Sequence, residues 1–320
     1  MKFKALIATA LLGLGFSPLF AQTNAHAHEA GLQSDNDSFL AQGIDRYYTN
    51  GLFLFYRQAL TVQNPETSKL ANKVLGIEAG QKMFNPYSGY VPDPARVDRP
   101  FAGYLYAGAN LNLLYKNESN LKLGVQTGVI GPAALGEEAQ KLMHKTFGFY
   151  ELAGWNTQIQ NSFQLNLLAQ YNKLLARASW IDLSGSTYGN LGTGFTGAGV
   201  GAIVRAGNFN QLFNSVSTQS TATRNSSIAP LHSYELFAYY KPLFNYVGYD
   251  ATIQGGLGSD KHPQEITFSP NRTLFTHEIG VAYAGKRWVL NGAVTISGKQ
   301  INSMVHAHQW GSVTLLYRFN

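Results

Sequence analysis

The chain has 320 residues, 45% hydrophobic and only 13% charged, with 33 Gly, 18 Tyr and 19 Phe, which excludes a disordered chain and leaves few charges for a water-facing surface. The absence of cysteine excludes a disulfide-stapled fold and thiolate chemistry. A net charge of +6 without clustered basic runs excludes a nucleic-acid-binding surface and leaves room for one anionic partner patch.

Residues 1–27 read as a secretory signal. MKFK supplies the positive start and ALIATALLGLGF the apolar segment; small residues follow at Ala21 or at Ala25-His26-Ala27, placing cleavage near 21 or 27. Loss of Lys2 and Lys4 leaves 22 basic against 18 acidic residues, a net charge of +4. Residues 28–320 contain no repeat, low-complexity tract or linker and read as a single domain. No later run reaches about 18 apolar residues, the length a membrane helix needs.

The membrane signal is of another kind. In NLKLGVQTGV, Leu121, Leu123, Val125 and Val129 alternate with Lys122, Gly124, Gln126 and Gly128. SFQLNLLAQY repeats the pattern, with Phe163, Leu165 and Leu167 opposite Gln164 and Asn166, and so does DATIQGGL at 250–257. The chain ends GSVTLLYRFN, with Val313, Leu315, Tyr317 and Phe319 on one face. A period of two with apolar and polar faces suits strands that are lipid-facing on one side and lumen-facing on the other. Short connections near 61–72, 116–119, 171–174, 241–246 and 285–287 alternate with long ones at 40–48, 85–100, 131–155, 207–230, 259–273 and 298–309. That is the turn-and-loop rhythm of an outer-membrane barrel. The expected fold is all-β, an antiparallel transmembrane β-barrel of about twelve strands, with 176–206 as one strand plus an excursion and fourteen strands as the alternative.

Within the loops, GPAALGEEAQKLMHKTFG at 131–148 predicts a short extracellular helix. Leu135, Ala139, Leu142 and Met143 form an apolar stripe, and Glu137, Gln140 and His144 share the opposite face. A hydrolytic site at the lipid boundary follows. The His144 imidazole can take a proton from water, and Gln140, one turn away, can orient it. Asp35, Asn36 and Asp37 at the end of the first strand are hard ligands suited to Ca²⁺, beside Thr49 opening the second. His262, His306 and His308 fall in predicted outer loops and read as solvated, with a His306/His308 metal site as a remote option.

The chain resembles the lipid A 3'-O-deacylase family, LpxR. The resemblance rests on Asn36-Asp37, on DRYYTNGLFLFY at 45–56, on DRPFAGYLY at 98–106 and on GVIGPAALGEEAQKLMH at 128–144. It runs on through Gly154-Trp155 and the later strands to the end of the chain. It implies an outer-membrane barrel of about twelve strands in a Gram-negative bacterium, hydrolysing the 3'-linked acyloxyacyl ester of lipid A with Ca²⁺. The family's catalytic positions fall on Asn36, Asp37, Thr49, Gln140 and His144, with Asp37, Asn36 and Glu151 expected at the metal. Glu151 is the candidate for the acidic residue that follows the family's histidine, at a spacing one residue off. The family's Lys-Arg pair has no counterpart in NPYSGYVPDPARVDR, which leaves Arg46, Arg96 and Arg99 as cations for the lipid A phosphates. No protein partner is expected. The rival readings are a serine-type outer-membrane phospholipase, using His144-Lys145-Thr146, and a non-enzymatic porin-like barrel.

Overall fold

The structure, a computed structural model, describes residues 25–40, 45–224, 228–258 and 262–320. Most of the predicted signal segment lies outside the described residues.

Among the described residues twelve strands form one closed antiparallel barrel. They are β1 (His28–Asn36), β2 (Tyr48–Ala59), β3 (Leu70–Phe84), β4 (Ala102–Tyr115), β5 (Ser119–Ile130) and β6 (Ser162–Arg177). The second half comprises β7 (Ile181–Gly192), β8 (Phe195–Asn208), β9 (Glu235–Asp250), β10 (Thr273–Ala284), β11 (Trp288–Ser297) and β12 (His308–Phe319). β1 closes on β12, from His28 opposite Phe319 to Asn36 opposite Gly311. Closure leaves no strand edge, as a lipid environment requires. The alternation on β5, β6 and β12 holds: Leu123, Leu165 and Val313 are exposed, while Gln164 and Asn166 are buried. Trp288 packs on Tyr317, and His28 on Phe319, as an aromatic girdle at the end carrying the chain termini, the periplasmic end in this class.

Four sequence expectations are corrected. Residues 176–206 contain two strands, β7 and β8, joined by a two-residue turn whose Gly194 and Phe195 amides donate to Asn166 Oδ1, each at 3.0 Å. The expected turn at 171–174 lies inside β6, and the chain reverses at 178–180. The expected turn at 241–246 lies inside β9, where Lys241 points into the lumen and meets Glu278 at 3.4 Å. Pro242 is tolerated in mid-strand because the pairing to β8 is interrupted there, between Gly201–Leu243 and Val204–Tyr240. The twelve-strand total survives because one extra strand and one lost strand cancel. The fourth is DATIQGGL: Asp250 caps a single helical turn at Ala251–Gln254, its carboxylate accepting from the Thr252 amide at 2.9 Å.

The shift of strands also moves the 207–230 connection to the periplasmic end, where it folds back into the barrel mouth. Asn72 of β3 donates to Ala222 O (2.9 Å), Asn112 of β4 to Thr218 O (2.7 Å), and Lys122 of β5 to Gln219 Oε1 (2.8 Å). Phe213 joins Ala71, Val74 and Leu114 in a small apolar cluster. Above this plug the lumen is polar, lined by Glu78, Lys122, Gln126, Gln170 and Lys241. Toward the outside it ends at an aromatic layer of Tyr48, Phe53, Phe84, Tyr104 and Tyr106.

The plug is anchored by Arg205 of β8, which is fully buried. It forks onto Asp182 of β7 at 2.6 and 3.0 Å and donates to Ser215 Oγ at 2.8 Å. Glu235 of β9, 4.0 Å from Arg205, accepts from the plug amides of Asn210 and Val216. Arg205→Ala removes the shared cation from two buried carboxylates and is expected to cost about 3–5 kcal/mol. The urea midpoint of the reconstituted barrel measures this; an unshifted midpoint contradicts the assignment of Arg205 as the anchor.

Candidate active site

Side-chain parity locates the site. On β2, Leu52 and Leu54 face outward and Phe53 inward; on β3 Ile77 faces outward and Gly80 inward; on β4 Leu105 faces outward and Tyr106 inward. The same parity puts Asn50, Met83 and Gly103 on the outer face at the extracellular rim, one opposite the next across β2, β3 and β4. Yet Met83 is only 3% exposed. What covers these residues is a helix, α1 (Gly136–Phe147), lying on the outside of the barrel wall. Gln81 Nε2 donates to Ala134 O at 2.7 Å just ahead of it, and Asn50 Nδ2 lies 3.6 Å from Met143 Sδ. Gly103 and Gly136 allow the approach: a Cβ on Gly103 would meet Gly136 N at 3.1 Å and Ala134 Cβ at 3.2 Å.

The local sequence favours α1. Glu137 and Glu138 sit in its first turn and His144 and Lys145 in its last, each complementing the helix dipole. Gly148, at φ +69°, ends it in the left-handed conformation, its amide closing on His144 O. The predicted stripe and polar face are both present, but their exposure is the reverse of an ordinary surface helix. Gln140 and His144 are buried against the wall, whereas Leu142 is 67% exposed.

His144 is held by a hydrogen bond at one ring nitrogen. Nδ1 lies 2.6 Å from the Tyr150 carbonyl oxygen, an acceptor only, so Nδ1 carries the proton. Nε2 lies 2.8 Å from Asp45 Oδ2, but outside hydrogen-bond alignment, so its lone pair is uncommitted in the neutral ring. The Tyr150 hydroxyl donates to the same Asp45 oxygen at 2.5 Å. Burial, then the Asp45 carboxylate, pushes that phenol upward, so it remains a donor at neutral pH. Gln140 Oε1 accepts from Trp155 Nε1 at 2.9 Å, while its Nε2 is buried without a hydrogen-bond partner.

Asp37 lies in the helical turn that follows β1 and is almost wholly buried. It accepts from the Arg46 amide at 2.8 Å, and the Thr49 hydroxyl lies against both Asp37 and Asp45, at 3.2 Å from Asp45 Oδ1. Burial, reinforced by the charge of Asp45, pushes the Asp37 carboxyl up to about 7. Thus Asp37, Thr49, Asp45 and His144 form one connected group. Asn36 faces outward beside it, but its Oδ1 is turned to Ser38, accepting from that residue's amide at 2.7 Å and from its hydroxyl. Asp35 instead points into the lumen, where it accepts from Tyr48 at 2.7 Å.

The other expected residues fall differently. Glu151 is exposed, and the carboxylate beside His144 belongs to Asp45. Arg99 is buried, donating to Thr252 Oγ1 (3.0 Å), Gln300 Oε1 (3.1 Å) and Pro100 O (3.1 Å) over the Phe84 ring. Burial pulls its guanidinium down to about 10, and it ties loops together. Arg96 is exposed on the loop before β4, and Arg46 is half-buried with Nε 3.4 Å from Tyr87 O. His308 is buried, its Nε2 2.7 Å from Tyr48 O, and does not pair with the exposed His306. Asp45 and Tyr150 were missed by sequence reasoning. The available signal was an acid four residues before Thr49 inside DRYYTNG.

Gly103→Val should push α1 off the wall while leaving the strand ladder intact. Limited trypsin digestion should then cut faster at Lys141 and Lys145 than in the parent; equal rates would show that the approach at Gly103 does not hold the helix.

Comparison with known proteins agrees with this geometry. A family model described as outer membrane protein LpxR matches residues 6–319. Among solved structures, LpxR from Salmonella typhimurium is similar at a TM-score of 0.74 and 20% identity, covering 91% of this chain and 100% of that one. The beta domain of the Bordetella autotransporter BrkA gives 0.47 at 10% identity, covering 92% and 99%. The translocator domain of the autotransporter NalP from Neisseria meningitidis gives 0.45 at 12% identity, covering 94% and 91%. No curated protein matches the chain. The family match over nearly the whole length identifies the chain as a member of the LpxR family of outer membrane proteins.

Proposed function

We propose that this protein is a lipid A deacylase that hydrolyses the 3'-linked acyloxyacyl ester, with Ca²⁺ as its metal. The observation that carries the reading is the place of His144. A histidine paired with a carboxylate lies between the outer surface of a barrel wall and a helix, where an outer-leaflet ester can reach it without leaving the membrane.

With its proton on Nδ1, held by the Tyr150 carbonyl, His144 takes a proton from water at Nε2. Asp45, fixed by Tyr150 and Thr49, stabilises the imidazolium that forms. The hydroxide adds to the ester carbonyl. The tetrahedral oxyanion then collapses, the sugar 3' oxygen leaves with the proton from His144, and the acyloxyacyl chain departs as a fatty acid. Gln140 Nε2, a buried donor without an acceptor, suits the attacking water or the oxyanion.

The residues present fit a hard cation. Asp37, Thr49 and Asn36 offer oxygen donors, and the Asp37 carboxyl is raised by its burial first and by the charge of Asp45 beside it second. No three His, Asp or Glu side chains converge as a cage among the described residues, so amide and backbone oxygens would complete the shell. When bound, the cation would polarise the ester carbonyl. Arg46 and Arg96 remain the cations for lipid A phosphates, since Arg99 is committed to internal bonds.

The rival readings have less support. Thr146 donates to Leu142 O at 2.7 Å, away from His144, which disfavours a nucleophile pair there. Among the described residues the plug and the aromatic layer occupy the two ends of the lumen, which disfavours a porin.

Mass spectrometry of lipid A from membranes with and without the protein should show loss of the 3' acyloxyacyl group. His144→Ala should lower that conversion by about 10²–10⁴-fold, and Asp45→Asn by less. Wild-type conversion by a correctly folded His144→Ala barrel would overturn the reading. In detergent micelles, a Ca²⁺ chelator or Asp37→Asn should abolish activity, and activity persisting under both would remove the metal from the proposal.

A further inference from the structure

Around α1, at about 100° per residue, three sectors follow one another. Gly136, Gln140 and His144 face the wall. On one side of them Glu137, Lys141 and Lys145 succeed each other at four-residue spacing, with Lys141 Nζ 2.6 Å from Glu137 Oε1. On the other side lie Ala139, Leu142 and Met143, with Leu142 largely exposed; Leu135, also exposed, precedes the helix at φ +57°, off the helical spacing. A surface helix needs only two sectors, a buried one and a wet one. Among the described residues nothing covers Leu142, the most exposed residue of the third sector.

Two contacts give the helix its roll. The charged flank is turned toward the extracellular loop, where Gln158 Nε2 lies 3.5 Å from Glu137 Oε2. The apolar flank is turned toward the strands, where Met143 meets Asn50, two residues above the lipid-facing Leu52. The exposed leucines therefore continue the apolar band of the barrel that Leu52, Leu105 and Phe163 form. At the end of the helix Phe147 and Phe149 stack at 5.9 Å and are both exposed, as aromatics at a membrane boundary are.

We infer that α1 is an interfacial helix, with its Ala139–Leu142 flank immersed in the acyl chains of the outer leaflet and its Glu137–Lys145 flank at the headgroups. The occupant of the apolar flank is lipid, because the surface it continues is the one the barrel presents to the membrane. The inference depends on the outer-membrane location alone, not on the hydrolytic reading.

The cysteine-free chain allows a direct test. Single cysteines at Leu142→Cys, Ala139→Cys, Lys141→Cys and Lys145→Cys take a nitroxide label in the full-length barrel, reconstituted in phospholipid vesicles. Collision with dissolved oxygen, which concentrates in lipid, is compared with collision with a water-soluble nickel chelate. The inference expects an oxygen-to-nickel ratio several-fold higher at 142 and 139 than at 141 and 145. Equal ratios, with position 142 as open to nickel as position 141, would overturn it. So would labels at 142 and 139 shielded from both probes, which would mean that a second copy of the chain covers the flank. Ala139→Cys reads the same flank should Leu142→Cys fail to fold.

Discussion

A helix backbone can lie directly on the outer face of a strand only where neither carries a Cβ, and Gly103 beneath Gly136 meets that condition. The rest of the site depends on this approach. It carries Gln140 and His144 to the wall, buries Met83, and brings the segment after α1 back so that Tyr150 reaches both His144 and Asp45. Two polar side chains facing a barrel's outer surface would be costly if left to lipid, because nothing there can bond to them. Under the helix they have partners: the Tyr150 carbonyl for His144 and the Trp155 indole for Gln140. Two of their polar atoms, Gln140 Nε2 and His144 Nε2, lack such a partner, and these are the two on which the proposed chemistry would draw.

The interior of the barrel has a different task. Its polar side chains, among them Arg205, Asp182, Asn72 and Asn112, satisfy one another and the plug. The extracellular mouth is filled by aromatic rings and the periplasmic mouth by chain. The lumen is thus a core made of hydrogen bonds and ion pairs rather than a passage. The proposed chemistry occurs on the other side of the wall.

Much of this was legible from sequence, and the failures have physical causes. The alternation on β5, β6 and β12 was readable because lipid on one face and polar lumen on the other leave a strict period of two. Lys241-Pro242 looked like a turn, since a charge next to proline ordinarily marks one. Here Glu278 across the lumen receives the lysine, and the interrupted pairing with β8 accommodates the proline. The Ser- and Thr-rich run at 215–223 looked like an outer loop for the same reason: a segment that fills a polar lumen has the composition of one that faces water. At the site, Asn36-Asp37, Thr49, Gln140 and His144 were found by residue type and motif. Asp45 was passed over because its pairing with His144 joins residues about a hundred positions apart through a helix packed on the outside of the wall, and one sequence records no such distance. Arg99 misled because a surface-loop arginine and one locked between loops read alike.

The plug also bears on how the cylinder holds shut. Thr221 donates to Glu29 on β1, and Arg318 on β12 donates to the Thr221 carbonyl, so one residue of the plug is tied to both sides of the seam where the first strand meets the last. Parting that seam therefore means breaking side-chain ties as well as the backbone ladder. The segment between β8 and β9 acts as a latch across a joint that lies far from it in the chain.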